Sequence, residues 1–450
     1  MDLTMVIWLL AKFGIKDENI EEIFDDYFNI SLRYVQRTSY TLDEYHDHRV
    51  RFFQRKRFLH TLITTINSWI LIIVLLLIIT GQLSDYFHYF IIDMGIDHHS
   101  IESIIWTIII ALIVAEYKWI NIYIHVIRYR CSFIQIRQAI IMAVKNELKL
   151  SSRQKLLHFF RIFRIITGFC YYSTTISLAI IYIRLYWFNI SEYLHGNRMG
   201  FTRLLSTLTM HTIMWRRLYF LFGEILIPML YLLFTVEYLK IKMKEFIEQI
   251  NNVQSSTSLI SMMNLKNIHE HYVRNFLEIC WLHKPYQEYL LFIDLISRIG
   301  FILGMIFIHH RHHHHGDKFH FVQMEEQYLT LSNLISILSF IQFIYTQIII
   351  VHIAYFPSKN QFCYRLLYHL SVIQTSLSST FQSNDENIDN NDEHSKYRTN
   401  VRMNLFIQNI IINDYGFYLG RYFLITKYKF IEMLAFNFTL FTMLYKYIRI

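Results

Sequence analysis

Several apolar runs in this chain reach about 20 residues, the length of helix that crosses the hydrocarbon core of a bilayer. Seven such runs are placed at about 61–80, 103–123, 166–188, 218–239, 289–308, 333–355 and 423–445. The first, second and sixth are clean. The fifth contains Asp294 and Arg298, and the seventh carries Lys427, Lys429 and Glu432 in its first half. Helices that hide from lipid among other helices tolerate such residues. Charged residues make up only 17% of the 450 residues, against about 25% in soluble domains. A soluble enzyme, a disordered chain and a secreted disulfide scaffold are all disfavoured, the last because there are only four cysteines. Twelve Gly and three Pro are few, so long and mostly unbroken helices are expected. The expected class is all-α: a polytopic membrane protein with seven transmembrane helices.

Lys and Arg bias sets orientation. With the N-terminal region inside, the inside segments (1–60, 124–165, 240–288 and 356–422) carry 30 Lys and Arg. The outside segments (81–102, 189–217, 309–332 and 446–450) carry 8. This predicts the N-terminus inside and the C-terminus outside, in a multi-pass plasma-membrane protein. Residues 1–60 form a cytosolic N-terminal region and 61–450 the transmembrane domain. No small-residue cleavage site follows the apolar run Met5–Leu10, so no signal peptide is expected. The acidic run 383–393 reads as a disordered cytosolic insertion.

Some residues could carry chemistry. Asp294 and Arg298 stand four apart on one helical face. They form either a structural pair or part of a ligand or ion path. Glu224 in the fourth span has no local partner, so it pairs between helices or borders a watery cavity. His309, His310, His312, His313, His314 and His315 sit in an outside loop. They are either low-complexity drift or a zinc or proton site. Trp106, Trp119, Trp187, Trp215 and Tyr355 fall near expected interfaces, where an aromatic belt or a ligand wall would place them. Of three glycosylation sequons, only Asn189-Ile190-Ser191 faces outside. There is no Walker A loop, nucleophile elbow or zincin motif. No enzymatic activity, cofactor or nucleic-acid partner is therefore expected.

The last 50 residues are the most informative. An amphipathic segment, Met403–Ile412, leads into Asn413-Asp-Tyr-Gly-Phe-Tyr-Leu-Gly-Arg-Tyr-Phe-Leu and then the final apolar run. This resembles the end of arthropod gustatory receptors, of the insect chemoreceptor superfamily, with Phe406, Gln408, Gly416, Phe417 and Leu419 in matching places. The family's last helix usually carries Thr-Tyr, five apolar residues and Gln-Phe. Here one register gives Asn437-Phe438 with Leu444-Tyr445, and another gives Thr439-Leu440 with Lys446-Tyr447.

The resemblance implies a tetrameric cation channel gated by a small-molecule tastant, built from identical or related subunits in the bilayer. The final helix of each subunit would line the pore, with Asn437, Leu440, Phe441, Leu444 and Tyr445 as candidates. The ligand would bind between helices in the outer half of each subunit, with Trp106, Tyr182, Tyr186, Trp187 and Phe307 as candidates. Cytosolic parts of the later helices would anchor the tetramer. Two other classes fit seven spans: a G-protein-coupled receptor, or a transporter using Asp294, Arg298 and Glu224.

Overall fold

The computed structural model describes residues 55–80, 105–106, 109–110, 112–117, 120, 140–144, 146–194, 201–255, 262–314, 340–382, 390–412, 415–420 and 422–448. The described residues are all-α apart from one short hairpin. We number the elements α1 (Arg55–Ile79), α2 (Leu150–Leu194), α3 (Phe201–Ser255), α4 (Met262–His314), α5 (Tyr355–Gln382), α6 (Asn390–Ile412), β1 (Tyr418–Leu419), β2 (Phe423–Leu424) and α7 (Lys427–Ile448). Helical residues 340–353 lead directly into α5. The scarcity of Gly and Pro explains the unusual lengths. With 55 residues, α3 extends roughly 80 Å at 1.5 Å per residue, well beyond the thickness of a bilayer.

Two cores hold these helices. The larger joins residues 140–144, the start of α2, the C-terminal half of α3, the N-terminal half of α4, residues 349–370, α6, the hairpin and the start of α7. The smaller packs Leu71, Ile72, Leu75 and Ile78 of α1 against Ile105, Ile109 and Leu112, with Met210, Ile213 and Met214 of α3 alongside. So α3 is shared: its first half serves the small core and its second half the large one.

Several expected boundaries move. Helix α1 begins at Arg55, so the division at 60/61 falls inside a helix rather than between two regions. The segment between the third and fourth spans, expected at 189–217, is helical through Leu194 and again from Phe201. The acidic run is helical from Asn390, where α6 starts. That corrects the expectation of disorder for 390–393, while 383–389 lie outside the described residues. Helix α4 continues to His314, so the histidine run is helical rather than a loop up to that point. Residues 423–426, assigned to the last span, form β2 and two residues without regular secondary structure. Two described helices are long and apolar enough to cross a membrane, at Leu62–Ile79 and Phe340–Ile373. The third, fourth and fifth expected spans lie within the longer helices α2, α3 and α4, the seventh overlaps the hairpin and the more polar α7, and the second, 103–123, is described only in part.

The exposed face of several helices is apolar. On α2 it runs Tyr172, Ile176, Ile180, Ile183 and Trp187, a spacing of three and four that keeps one face of a helix. Leu62, Ile66, Trp69 and Ile73 do the same on α1, and Ile344, Ile348 and Val351 on the helix that leads into α5. A helix facing water would place its charges there. These helices instead present their branched and aromatic residues outward.

Candidate functional site: the hairpin that feeds the terminal helix

Four of the five resemblance residues near the C-terminus, Phe406, Gly416, Phe417 and Leu419, converge on one packed junction. Phe406 of α6 is buried with its ring edge-on to Tyr272 at 5.5 Å, while His269 approaches it at 4.8 Å. Tyr415, fully buried, lies over Tyr272 and Phe276 of α4. The Tyr272 hydroxyl donates to Asn360 Oδ1 at 3.1 Å, and Asn360 Nδ2 donates to the Ile410 carbonyl at 3.0 Å. One amide thus ties α4, α5 and the C-terminal turn of α6, and it satisfies a carbonyl that the helix end leaves open. Gln408 faces solvent, so it takes no part in this junction. The neighbouring segment His269-Glu270-His271 turns Glu270 to solvent but holds both histidines in contacts. His269 packs on Phe406, and His271 Nδ1 lies 2.6 Å from Gln249 Oε1.

The hairpin follows at once. Gly416 is buried where a Cβ would come within 3.1 Å of both Leu424 and Pro357, so a side chain there would push β2 away from α5. Phe417 packs on Phe356 and His283. Strand β1 pairs with β2 in register Tyr418↔Leu424 and Leu419↔Phe423. Gly420 closes the turn at φ +59°, a conformation costly for residues with a Cβ. Its N–H donates to the Gln287 carbonyl of α4 at 2.9 Å. Replacing Gly420 by alanine is expected to cost about 1–2 kcal/mol from the left-handed backbone alone. A Cβ would also meet Leu291 at 3.0 Å. Thermal melting of the purified variant measures this, and an unchanged Tm would refute it.

His283 of α4 makes the second clamp. Its Nε2 accepts the Tyr418 N–H at 2.7 Å, which requires the neutral ring with its proton on Nδ1. Burial pushes the His283 pKa down, and the nearby Tyr418 carbonyl opposes this only in part. The unfolded chain therefore takes up a proton first as pH falls. This stabilising contribution is complete above the usual histidine range, and it declines as pH drops from about 6.5. In the His283→Gln variant that part of the pH dependence of Tm should vanish. A profile identical to wild type between pH 7 and pH 5 would overturn the assignment.

Helix α7 then starts at a defined cap. Thr426 Oγ1 accepts the Lys429 N–H at 3.1 Å, the geometry of an N-cap. Lys429 pairs with Glu432 at 2.7 Å, which offsets a cation in the first turn. Beyond Met433 the helix exposes Phe436, Phe438 and Met443. Thr439 and Thr442 share this exposed side, and each donates its hydroxyl to the carbonyl four residues earlier, at 3.0 and 2.8 Å. Their polar atoms are thereby satisfied within the helix, which leaves the side suited to an apolar neighbour.

The pore candidates divide. Asn437 is 7% exposed and faces into the chain, so it is not on the exposed side of α7. Neither of its amide atoms meets a partner among the described residues. Leu440, Phe441, Leu444 and Tyr445 lie on α7, but their side chains fall outside the described residues. Thr439 and Thr442 are the exposed polar positions that the sequence reading left out of the pore set. Their spacing on a helix of known start would have revealed them.

The ligand candidates divide as well. Tyr182 and Tyr186 of α2 are together, with rings 4.6 Å apart, and Trp215 of α3 lies 5.3 Å from Tyr182. The Tyr186 hydroxyl bonds Thr212 Oγ1 and the Leu208 carbonyl. This is a closed aromatic contact between α2 and α3. Trp187 is 69% exposed and Trp106 is also exposed, so both lie on the outer surface rather than in that cluster. The Phe307 side chain lies outside the described residues, as does that of Glu224. Asn189 is 1% exposed, with its amide nitrogen 3.5 Å from His211 Nδ1. Asn189 is thus packed between α2 and α3.

Asp294 and Arg298 pair at 2.7 Å along α4, both largely buried. Asp294 Oδ1 and Ser297 Oγ meet no partner among the described residues. The side chains of the histidine run are outside the described residues, among which no group of three His, Cys, Asp or Glu residues could hold a metal. Cys363 is buried and Cys280 exposed, and both are free thiols. No protein-family model matches the chain, and no curated protein matches it significantly.

Proposed function

We propose that the protein is a chemosensory, gustatory-type receptor: a multi-pass, tetrameric cation channel opened by a small-molecule tastant. One observation carries this reading. A rigid hairpin, clamped to α4 at His283 and Gln287, feeds a terminal helix whose exposed side is apolar and punctuated by Thr439 and Thr442. Such a helix, repeated around an axis, would give an apolar constriction able to close by dewetting. The apolar outer stripes of α1, α2 and residues 344–351 support burial in lipid. The Lys and Arg bias supports seven spans with the N-terminus inside.

Gating would be a population shift: the tastant binds the open arrangement more tightly than the closed one. Motion of α4 would reach α7 through the hairpin clamps. The first test places tags at both termini of the full chain in intact and permeabilised cells. A hidden N-terminal tag with an exposed C-terminal tag is expected. Both tags on one side would refute the span count. The second test records currents from Thr442→Cys during a tastant screen. Block by a thiol-reactive cation is expected, and tastant-evoked current insensitive to that reagent would remove α7 from the pore.

A further inference from the structure

The helix that leads into α5 and the terminal helix do not close on each other. Between them lies a crevice of about 330 Å³, lined by Phe343, Ile344, Gln347, Ile348, Val351 and His352 on one side and Leu434 on the other. Its volume is at the small end of ligand sites. Its walls are almost wholly apolar, and Ile344, Ile348 and Val351 are also exposed to the surroundings. The crevice is therefore open sideways, along the face of one of the two helices apolar enough to span a membrane.

One end of the crevice is charged. His352 Nε2 lies 3.3 Å from Lys240 Nζ. Lys240 sits 5.4 Å from the centre of the Tyr355 ring, and Lys359 sits 5.1 Å from that same centre. Two ammonium groups thus flank one aromatic ring just beyond the apolar walls. Glu237 balances Lys240 at 2.8 Å. Lys359 meets no carboxylate among the described residues. Lys427 lies two turns before Leu434, on the same side of α7 by helical spacing, and is exposed. An open apolar trough ending in a net positive cluster is complementary to one kind of molecule: an acyl chain that ends in an anionic headgroup.

We propose that this crevice binds the acyl chain of an anionic phospholipid from the cytosolic leaflet, with its phosphate held between Lys359 and Lys240. The proposal rests on the membrane-spanning reading above. It makes the lipid a wedge between the helix entering α5 and the terminal helix, where an occupant would bias their separation. Neither the hairpin nor the cluster at Tyr182 takes part.

The test uses the full chain purified in detergent, with native mass spectrometry to count retained lipid. The probes are phosphatidylglycerol and phosphatidylcholine with identical acyl chains. Preferential retention of phosphatidylglycerol is expected. Lys359→Gln should weaken that preference about fivefold, the worth of one lysine near an anionic surface, and Lys359→Arg should retain it. Ile348→Trp, at an exposed position that fills the trough, should lower retention of both lipids. Both positions are at least partly exposed, so folding survives, and a monodisperse elution profile checks this. Equal retention of the two lipids would overturn the proposal. So would a preference untouched by both Lys359→Gln and Ile348→Trp. Flotation of the chain with liposomes separates the two readings. A chain that floats without lipid preference refutes only the crevice, and one that fails to float refutes the membrane reading itself.

Discussion

Replacing Arg217 by leucine is expected to destabilise the protein by about 3–5 kcal/mol, the cost of stranding a buried charge. Arg217 Nη2 lies 3.0 Å from Glu116 Oε1, and both side chains are 1% exposed. The pair links helical residues 112–117 to α3 beside the smaller core, where α1 also packs. Removing the cation takes a close counter-charge from a Glu116 carboxylate that is itself buried. Glu116→Leu should be harmful for the mirror-image reason. The double variant, Glu116→Leu with Arg217→Leu, should recover much of the loss, because an apolar pair of matched volume often replaces a buried ion pair at little cost. Thermal melting of the three purified variants measures the coupling. If the double variant loses as much as the sum of the two single losses, the pair is not coupled and the assignment fails.

Lys242 is the second position where one substitution should do great harm. Its ammonium donates to Glu147 at 2.7 Å and also to Glu278 of α4. Glu278 accepts a further bond from the Tyr238 hydroxyl at 2.6 Å. Nearby, Glu245 accepts the Lys149 N–H at 3.1 Å. One lysine therefore fastens three segments: the turn before α2, α3 and α4. Lys242→Leu should cost about 3 kcal/mol, at the lower end for a broken buried pair, because Glu147 is 41% exposed and can turn to water. Lys242→Arg should cost less. The hydrogen bond from Lys242 holds Glu147 below the usual carboxylate range, against the opposing effect of burial. That contribution is complete above the unfolded pKa, and it is lost as pH falls through the folded one. The loss of Tm in Lys242→Leu should therefore be largest near neutral pH and shrink as the pH falls through the carboxylate range. Identical acid profiles would show that the network adds nothing.

Much of the helical character was legible from residue counts alone. Few Gly and Pro, a low charge content and apolar runs of about 20 residues all point to long helices, and α2, α3 and α4 have 45, 55 and 53 residues. The C-terminal junction was legible too, as a motif. Phe406, Gly416, Phe417 and Leu419 are all buried there. Boundaries were not legible, because a hydropathy run marks an apolar stretch and not a helix end. Arg203, Arg216 and Arg217 read as an outside segment by charge, yet all lie on α3. Glu116, which pairs with Arg217, is 101 positions away and cannot be found by local spacing.

The candidate site shows the same division. His283 stood in the sequence as one of 23 histidines, without a motif to mark it. Only the approach of β1 gives its Nε2 a specific proton to accept. Trp187 and Tyr186 are neighbours in the chain and equally aromatic, yet one lies on the surface and the other bonds across to α3. Asn437 matched a motif register but turned inward, while Thr439 and Thr442 turned out. Composition and periodicity are properties of a segment, so residue order alone yields a helical, apolar chain with Lys and Arg biased to one set of its connecting segments and a marked C-terminal junction. Which face of each helix is covered depends on residues distant in sequence, and those pairings are decided only when the helices pack.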